Sequence, residues 1–151
     1  VLCYMVDDKI NGEFKSWYES GQLKEQGTYV DDKQHGEYRK WFENGQLMTK
    51  SMCVDGKQHG EYKRWYKNGQ CEVLCYMVDD KINGEFKSWY ESGQLKEQGT
   101  YVDDKQHGEY RKWFENGQLM TKSMCVDGKQ HGEYKRWYKN GQCEVLCYMV
   151  D

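Results

Sequence analysis

Apolar and polar residues alternate along this chain in short runs that stop at regular turn signals. GEYRKWFE (36–43) and QLMTKSMCV (46–54) are two such runs, joined by Asn44-Gly45. Period-two alternation predicts strands, because successive side chains of an extended backbone point to opposite faces. Asn-Gly tolerates positive φ at both central positions, so a two-residue type I′ hairpin loop is expected here and at Asn68-Gly69, Asn116-Gly117 and Asn140-Gly141. Ser20-Gly21 and Ser92-Gly93 stand at the equivalent places. A second break, Asp55-Gly56-Lys57-Gln58-His59-Gly60, separates one hairpin from the next and recurs in variant form throughout. The fold class is therefore all-β: hairpins in tandem, continuing as an elongated, twisted antiparallel meander or a solenoid.

A two-residue loop at Asn44-Gly45 pairs Glu43 with Gln46, Phe42 with Leu47 and Tyr38 with Ser51. One face then carries Tyr38, Phe42, Leu47, Ser51 and Cys53, and the other Trp41, Met48, Met52 and Val54 among charged residues. Phe14 falls opposite Gly27, a place where an aromatic ring can lie on bare backbone. With strands about 4.8 Å apart, each hairpin advances the sheet by roughly 10 Å.

The pattern repeats at two levels. Residues 1–79 match 73–151 without a mismatch, an offset of 72, and each such unit divides into three 24-residue repeats beginning at Gly12, Gly36 and Gly60. Their sequences, GEFKSWYESGQLKEQGTYVDDKQH, GEYRKWFENGQLMTKSMCVDGKQH and GEYKRWYKNGQCEVLCYMVDDKIN, define types A, B and C. The organisation reads as a C-type tail (1–11), a first ABC triplet (12–83) and a second triplet cut short in its last repeat (84–151). Such arrays are quasi-one-dimensional: each unit leans on its neighbours. Beginning and ending inside a repeat suggests a slice through a longer periodic object.

Composition narrows what the array can be. The chain is 37% hydrophobic, 31% charged and 15% aromatic, with no proline, so rings and long aliphatic stems must supply much of the packing. A formal charge of -3, with both signs mixed in every repeat, makes nucleic acid a poor partner. No transmembrane segment is expected, the longest apolar stretch being the six residues Val73–Val78. The thiols suit either a cytoplasm or a cross-linked extracellular fibre.

The recurring G-E-[YF]-x-x-W-[YF]-x-[NS]-G-Q-[LC], followed by [DG]-K-x-[HN]-G, resembles the MORN repeat, and more closely the variant found in YwqK-like bacterial antitoxin proteins. Gly36, Tyr38, Trp41, Phe42, Asn44, Gly45, Leu47, Gly56, Lys57, His59 and Gly60 carry it in a B copy, and it covers essentially the whole chain. The resemblance implies rows of hairpins used for scaffolding, dimerisation or membrane-associated assembly, without a shared catalytic centre. Type C departs from it, with Cys71 for the usual Leu and Ile82-Asn83 for Gln-His, so a function seated in the His position is put in doubt. A weaker likeness is to choline- or glucan-binding wall repeats.

The residues that carry chemistry mostly read as structure. Cys3, Cys53, Cys71, Cys75, Cys125, Cys143 and Cys147 fall on the Leu47 face. Cys71 and Cys75 are about 13 Å apart along one strand, and Cys53 and Cys75 about 10 Å apart across the sheet, beyond a disulfide in a flat sheet. His35, His59, His107 and His131 precede the glycine that opens each repeat; about 10 Å apart, they bond local backbone rather than a metal. Cys53, Asp55 and His59 are close in sequence, but alternation gives the imidazole no path back to the thiol. No catalytic group, metal site or cofactor is expected.

Two features invite a functional reading. Trp17, Trp41, Trp65, Trp89, Trp113 and Trp137 recur without exception; they pack under Lys and Arg stems, or they form a row that stacks on sugars or quaternary ammonium groups. VLCYMV is the least polar strand, uncharged and free of Gly and Pro, and it stands at both ends as Val1, Leu2, Cys3, Tyr4, Met5, Val6 and as Val145, Leu146, Cys147, Tyr148, Met149, Val150. An apolar strand at an open sheet edge is a template for another chain. The expected partner is therefore the protein itself, in an end-to-end polymer or longer array, and the expected role that of a non-enzymatic structural repeat protein. The alternative is a soluble binding module for another protein or a wall ligand.

Overall fold

The structure, a computed structural model, describes residues 1–149. The strands, in chain order, are β1 (Leu2–Val6), β2 (Lys9–Trp17), β3 (Leu23–Val30), β4 (Lys33–Gln34), β5 (Gly36–Trp41), β6 (Leu47–Val54), β7 (Lys57–Gln58) and β8 (Gly60–Trp65). They continue as β9 (Cys71–Val78), β10 (Lys81–Trp89), β11 (Leu95–Val102), β12 (Lys105–Gln106), β13 (Gly108–Trp113), β14 (Leu119–Val126), β15 (Lys129–Trp137) and β16 (Cys143–Met149). All lie in one open antiparallel sheet in the order β1-β2-β3-β5-β6-β8-β9-β10-β11-β13-β14-β15-β16, with the two-residue strands β4, β7 and β12 folded back on β3, β6 and β11. The meander expectation holds, and the sheet does not close on itself: β1 and β16 are its two outer edges. No helix among the described residues is long and apolar enough to cross a membrane.

The turns differ from expectation in an instructive way. Of Asn44 and Gly45 only the glycine has positive φ, at 84°. Gly45 N donates to Phe42 O (2.9 Å) and Phe42 N to Gln46 O (2.8 Å), which closes a three-residue loop, Glu43-Asn44-Gly45, of the type I turn plus G1 bulge kind. The two-residue loops with positive φ at both central residues lie instead at the second break, at Asp31-Asp32 (49°, 64°), Asp55-Gly56 (51°, 84°) and Asp79-Asp80 (50°, 68°). Aspartate is among the few residues with a side chain that tolerates this region.

The longer loop displaces the hairpin end by one residue. Trp41, not Phe42, stands opposite Leu47, and the register shifts between Trp41 and Lys40. Below that bulge Lys40 pairs with Thr49 and Tyr38 with Ser51, so the body of the hairpin keeps the register that alternation predicts.

Phe14 does pair with Gly27. The ring lying on that glycine, however, is Tyr38 of the next hairpin, while Phe14 packs edge-on to Tyr29 at 5.4 Å. The core is one layer deep. Tyr38, Cys53, Cys75, Tyr110, Cys125 and the serines Ser16, Ser51, Ser88 and Ser123 are buried on a single face, while Met52 and Val54 stay exposed on the other. With so thin a core, backbone ladders and turn-to-turn bonds carry much of the cohesion. Asp32 N donates to Ile10 O, Gly56 N to Gln34 O and Asp80 N to Gln58 O at 2.8–3.1 Å, docking each two-residue loop on the one before it.

Candidate functional site

The buried face is organised as cross-strand ladders that run the length of the sheet. One ladder reads Ser16, Glu25, Lys40, Thr49, Arg64, Val73, Ser88, Glu97, Lys112, Thr121, Arg136, each opposite the next. A parallel ladder alternates rings with small residues: Phe14 faces Gly27, Tyr38 faces Ser51, Tyr62 faces Cys75, and Cys75 also faces Phe86. Small residues between rings let the aromatic side chains lie flat across neighbouring strands.

Where the first ladder passes from A to B it forms a closed polar cluster. Glu25 accepts from Ser16 Oγ (3.1 Å) and from Tyr38 OH (2.5 Å), and Lys40 Nζ lies 3.7 Å away. The second triplet repeats it around Glu97 with Ser88, Tyr110 and Lys112. Burial works against the Glu25 charge, yet the two hydroxyl donors and the lysines outweigh it and hold the carboxyl below its ordinary range. Burial, reinforced by the carboxylate, pushes the Tyr38 and Tyr110 phenols far up. These are fixed donors, not nucleophiles.

Between C and A the same ladder brings together two of its small members, Val73 and Ser88. A cleft of about 370 Å³ opens there, lined by Tyr62, Arg64, Glu72, Phe86, Trp89 and Glu97 among others. Arg64 is held to one side by Glu72, with contacts of 2.8 and 2.9 Å. Cys75, 4% exposed, also lines it, and burial pushes its thiol up to about 11. The cleft is thus walled by rings and an uncharged thiol, and its charged groups already have partners.

The residues singled out from sequence take the following places. Each of Trp17, Trp41, Trp65, Trp89, Trp113 and Trp137 ends the first long strand of its hairpin; Trp17 is 42% exposed and the others are half-buried. Lysines approach other rings, with Nζ 5.7 Å from the Tyr18 centroid, 5.6 Å from Tyr38 and 6.0 Å from Phe42. Asn44, Asn68 and Asn116 each donate from Nδ2 to a carbonyl of the following turn, on Lys67, Glu91 and Lys139 at 3.3, 2.8 and 3.1 Å. Asn140 bonds Gln142 instead. Val150 lies outside the described residues.

The thiols and imidazoles do not converge. Cys53 Sγ points to Gln34 Oε1 of the preceding repeat (3.6 Å), while His59 Nδ1 lies 4.0 Å from Asp79 of the following one. His35, His59 and His107 donate their backbone N–H to Thr28, Met52 and Thr100 carbonyls at 2.8 Å. Among the described residues no three His, Cys, Asp or Glu side chains gather as a metal site would require.

Two sets of linking residues escaped sequence reasoning. The second Asp of three Asp-Asp pairs bonds back one repeat, Asp32 Oδ1 accepting from Ile10 N, Asp80 Oδ1 from Gln58 N and Asp104 Oδ1 from Ile82 N, all at 2.7 Å. The tyrosine after an A- or C-type tryptophan bonds forward wherever a further hairpin follows in the sheet, Tyr18 OH to Trp41 O, Tyr66 OH to Trp89 O and Tyr90 OH to Trp113 O at 2.8–2.9 Å. The available signal was Phe at this position in type B, where no such bond can form.

The chain matches no curated protein. Six segments, 10–31, 34–52, 58–79, 82–103, 106–124 and 130–150, match the family described as MORN repeat variant. Those matches span most of the chain, one per hairpin repeat, and the protein belongs to the MORN repeat variant family.

Proposed function

We propose that this MORN repeat protein is a non-catalytic scaffold that extends lengthwise into a filament or longer array. The supporting observation is the chemistry of the outer strands. Leu2, Tyr4, Met5 and Val6 on β1, and Leu146, Tyr148 and Met149 on β16, are exposed apolar side chains beside an unpaired row of backbone donors and acceptors. Sheets that remain single protect such edges with charge, proline or a covering loop. Neither strand carries lysine, arginine or proline, and β1 has no charge at all. Electron microscopy and sedimentation velocity on the purified chain test the reading. Fibres or a concentration-dependent series of multiples are expected; one species of single-chain mass at every concentration overturns it.

A second reading, a binding module, is favoured by the cleft between β8 and β11. Its aromatic walls suit a partner side chain, as in an antitoxin-like complex, or a wall ligand stacked on Trp89. Filling the cleft with Ser88→Lys, the residue type that type B carries at this ladder position, abolishes such binding while leaving lengthwise assembly intact.

A further inference from the structure

The junction between β9 and β10 shows how a C-type hairpin continues into an A-type one. Ile82 stands opposite Met77, Phe86 opposite Cys75, Lys87 opposite Leu74 and Ser88 opposite Val73. Beyond the ladder, Tyr66 OH donates to Trp89 O and Asn68 Nδ2 to Glu91 O. The sequence VLCYMVD of this junction, at 73–79, also stands at 1–7 and at 145–151.

β1 holds the corresponding place on β2 less completely. It pairs Leu2 with Lys15, Cys3 with Phe14, Met5 with Ile10 and Val6 with Lys9, over five residues where β9 has eight. β16 has the opposite deficit: it belongs to a C-type hairpin, but its outer side is bare. Leu146 is 54% exposed and Tyr138 51%, whereas their counterparts Leu74 and Tyr66 within the sheet are half-buried. One edge lacks the hairpin that the other presents.

Simple stacking of the two edges does not fit the ladder. β1 and β16 are first and thirteenth along an unbroken antiparallel path, so they run in the same direction. Two copies arrayed end to end would set them parallel, while every pair in this sheet is antiparallel.

We propose that β16 of one copy displaces β1 of a second copy and takes its place on β2, joining chains in the register of the β9–β10 junction. This rests on the lengthwise-assembly reading and supplies its mechanism. Val145, Leu146, Cys147 and Met149 then oppose Ser16, Lys15, Phe14 and Ile10 of the second copy. Tyr138 OH donates to the Trp17 carbonyl and Asn140 Nδ2 to the Glu19 carbonyl, as Tyr66 and Asn68 do within the chain. Residues 145–149 of one copy then stand where residues 1–5 of the other stood, as the shared sequence of the two strands allows. The occupant is a second copy because the same strand already fills this place within one chain. Growth is slow, since β1 is tethered to β2 through the Asp7-Asp8 turn and must detach first.

Two substitutions in the full chain, under reducing conditions, test the mechanism. Cys3→Arg and Cys147→Arg alter equivalent positions of the two edge strands. Cys147 has room for arginine at the open edge, but its junction counterpart Cys75 is 4% exposed between two rings. Followed by sedimentation velocity and light scattering, Cys147→Arg is expected to stay monomeric. Cys3→Arg loosens the displaced strand and is expected to assemble at least tenfold faster than the parent. If Cys3→Arg instead slows assembly, β1 is itself the docking edge, and strand exchange fails while lengthwise assembly stands. Growth that stops at dimers also overturns exchange, in favour of two β16 edges meeting about a twofold axis. No growth in any form sinks both readings. Should a variant unfold, a fluorescent peptide of residues 143–151 provides the second measurement. It is expected to bind the parent chain with saturable anisotropy and at least tenfold less tightly when it carries Cys147→Arg; equal binding by the two peptides rejects the proposal.

Discussion

The ring of Tyr38 lies directly on Gly27 of the preceding hairpin: a Cβ built on Gly27 falls 2.3 Å from Tyr38 Cδ2. Gly99 and Tyr110 repeat the contact at the same 2.3 Å. Both atoms belong to crowded, hydrogen-bonded groups, so neither can yield easily. Gly27→Ala is expected to cost about 1–3 kcal/mol, the scale of overpacking. Urea melts read the loss. The double variant Gly27→Ala/Tyr38→Ala should show less than the sum of the two single effects, because the clash disappears with the ring.

Tyr38 is held there by its bond to Glu25, and this pair predicts how stability varies with pH. Tyr38→Phe removes a donor to a charged acceptor and is expected to cost about 1.5–3 kcal/mol near neutral pH. The folded-state pKa of Glu25 lies below the ordinary 4.5. Its contribution is therefore present above about pH 4.5 and is lost as the pH falls through the folded value. That of Tyr38 lies above the ordinary 10.0, so its contribution is present below about pH 10 and is lost as the pH rises towards the folded value. Stability against urea should show a plateau between these limits. Tyr38→Phe should lower the plateau and weaken the alkaline decline.

Asp80 combines an unusual backbone with a useful side chain: φ is 68°, and Oδ1 accepts from Gln58 N at 2.7 Å. Asp80→Ala keeps the strain and loses the bond, for about 2–3 kcal/mol in all. Asp80→Gly relieves the strain, as Gly56 does at the same position of type B, and is expected to cost about 1 kcal/mol or less. Thermal melts of the two variants should rank them in that order; equal losses would show that the side-chain bond alone matters.

The thiols should separate by exposure. Cys143 is exposed, whereas Cys53, Cys75 and Cys125 are buried. With its thiol pushed up to about 11, Cys75 presents roughly one thiolate in a thousand at pH 8. Iodoacetamide followed by peptide mass spectrometry should find Cys143 modified first and Cys75 among the last. Early labelling of Cys75 would mean that the cleft opens.

Much of this protein was legible from its letters because its physics is local. Alternation in GEYRKWFE and QLMTKSMCV places Tyr38 opposite Ser51, since a strand has only two faces and a one-residue slip would bury charges. Repetition then carries that hairpin along the chain, and the Phe14–Gly27 pairing follows from the same count. Tertiary structure decided the rest. Asn44-Gly45 is compatible with a two- or a three-residue loop, and the three-residue form places Asn44 Nδ2 on Lys67 O, a partner in the next hairpin. The ring over Gly27, the return bond from Asp80 to Gln58 and the cleft beside Val73 and Ser88 likewise depend on what the neighbouring repeat presents. Local preferences set strands and their register within a hairpin. Contacts between hairpins are chosen among near-equal local states by atoms of a different repeat, and only the assembled sheet brings those atoms together.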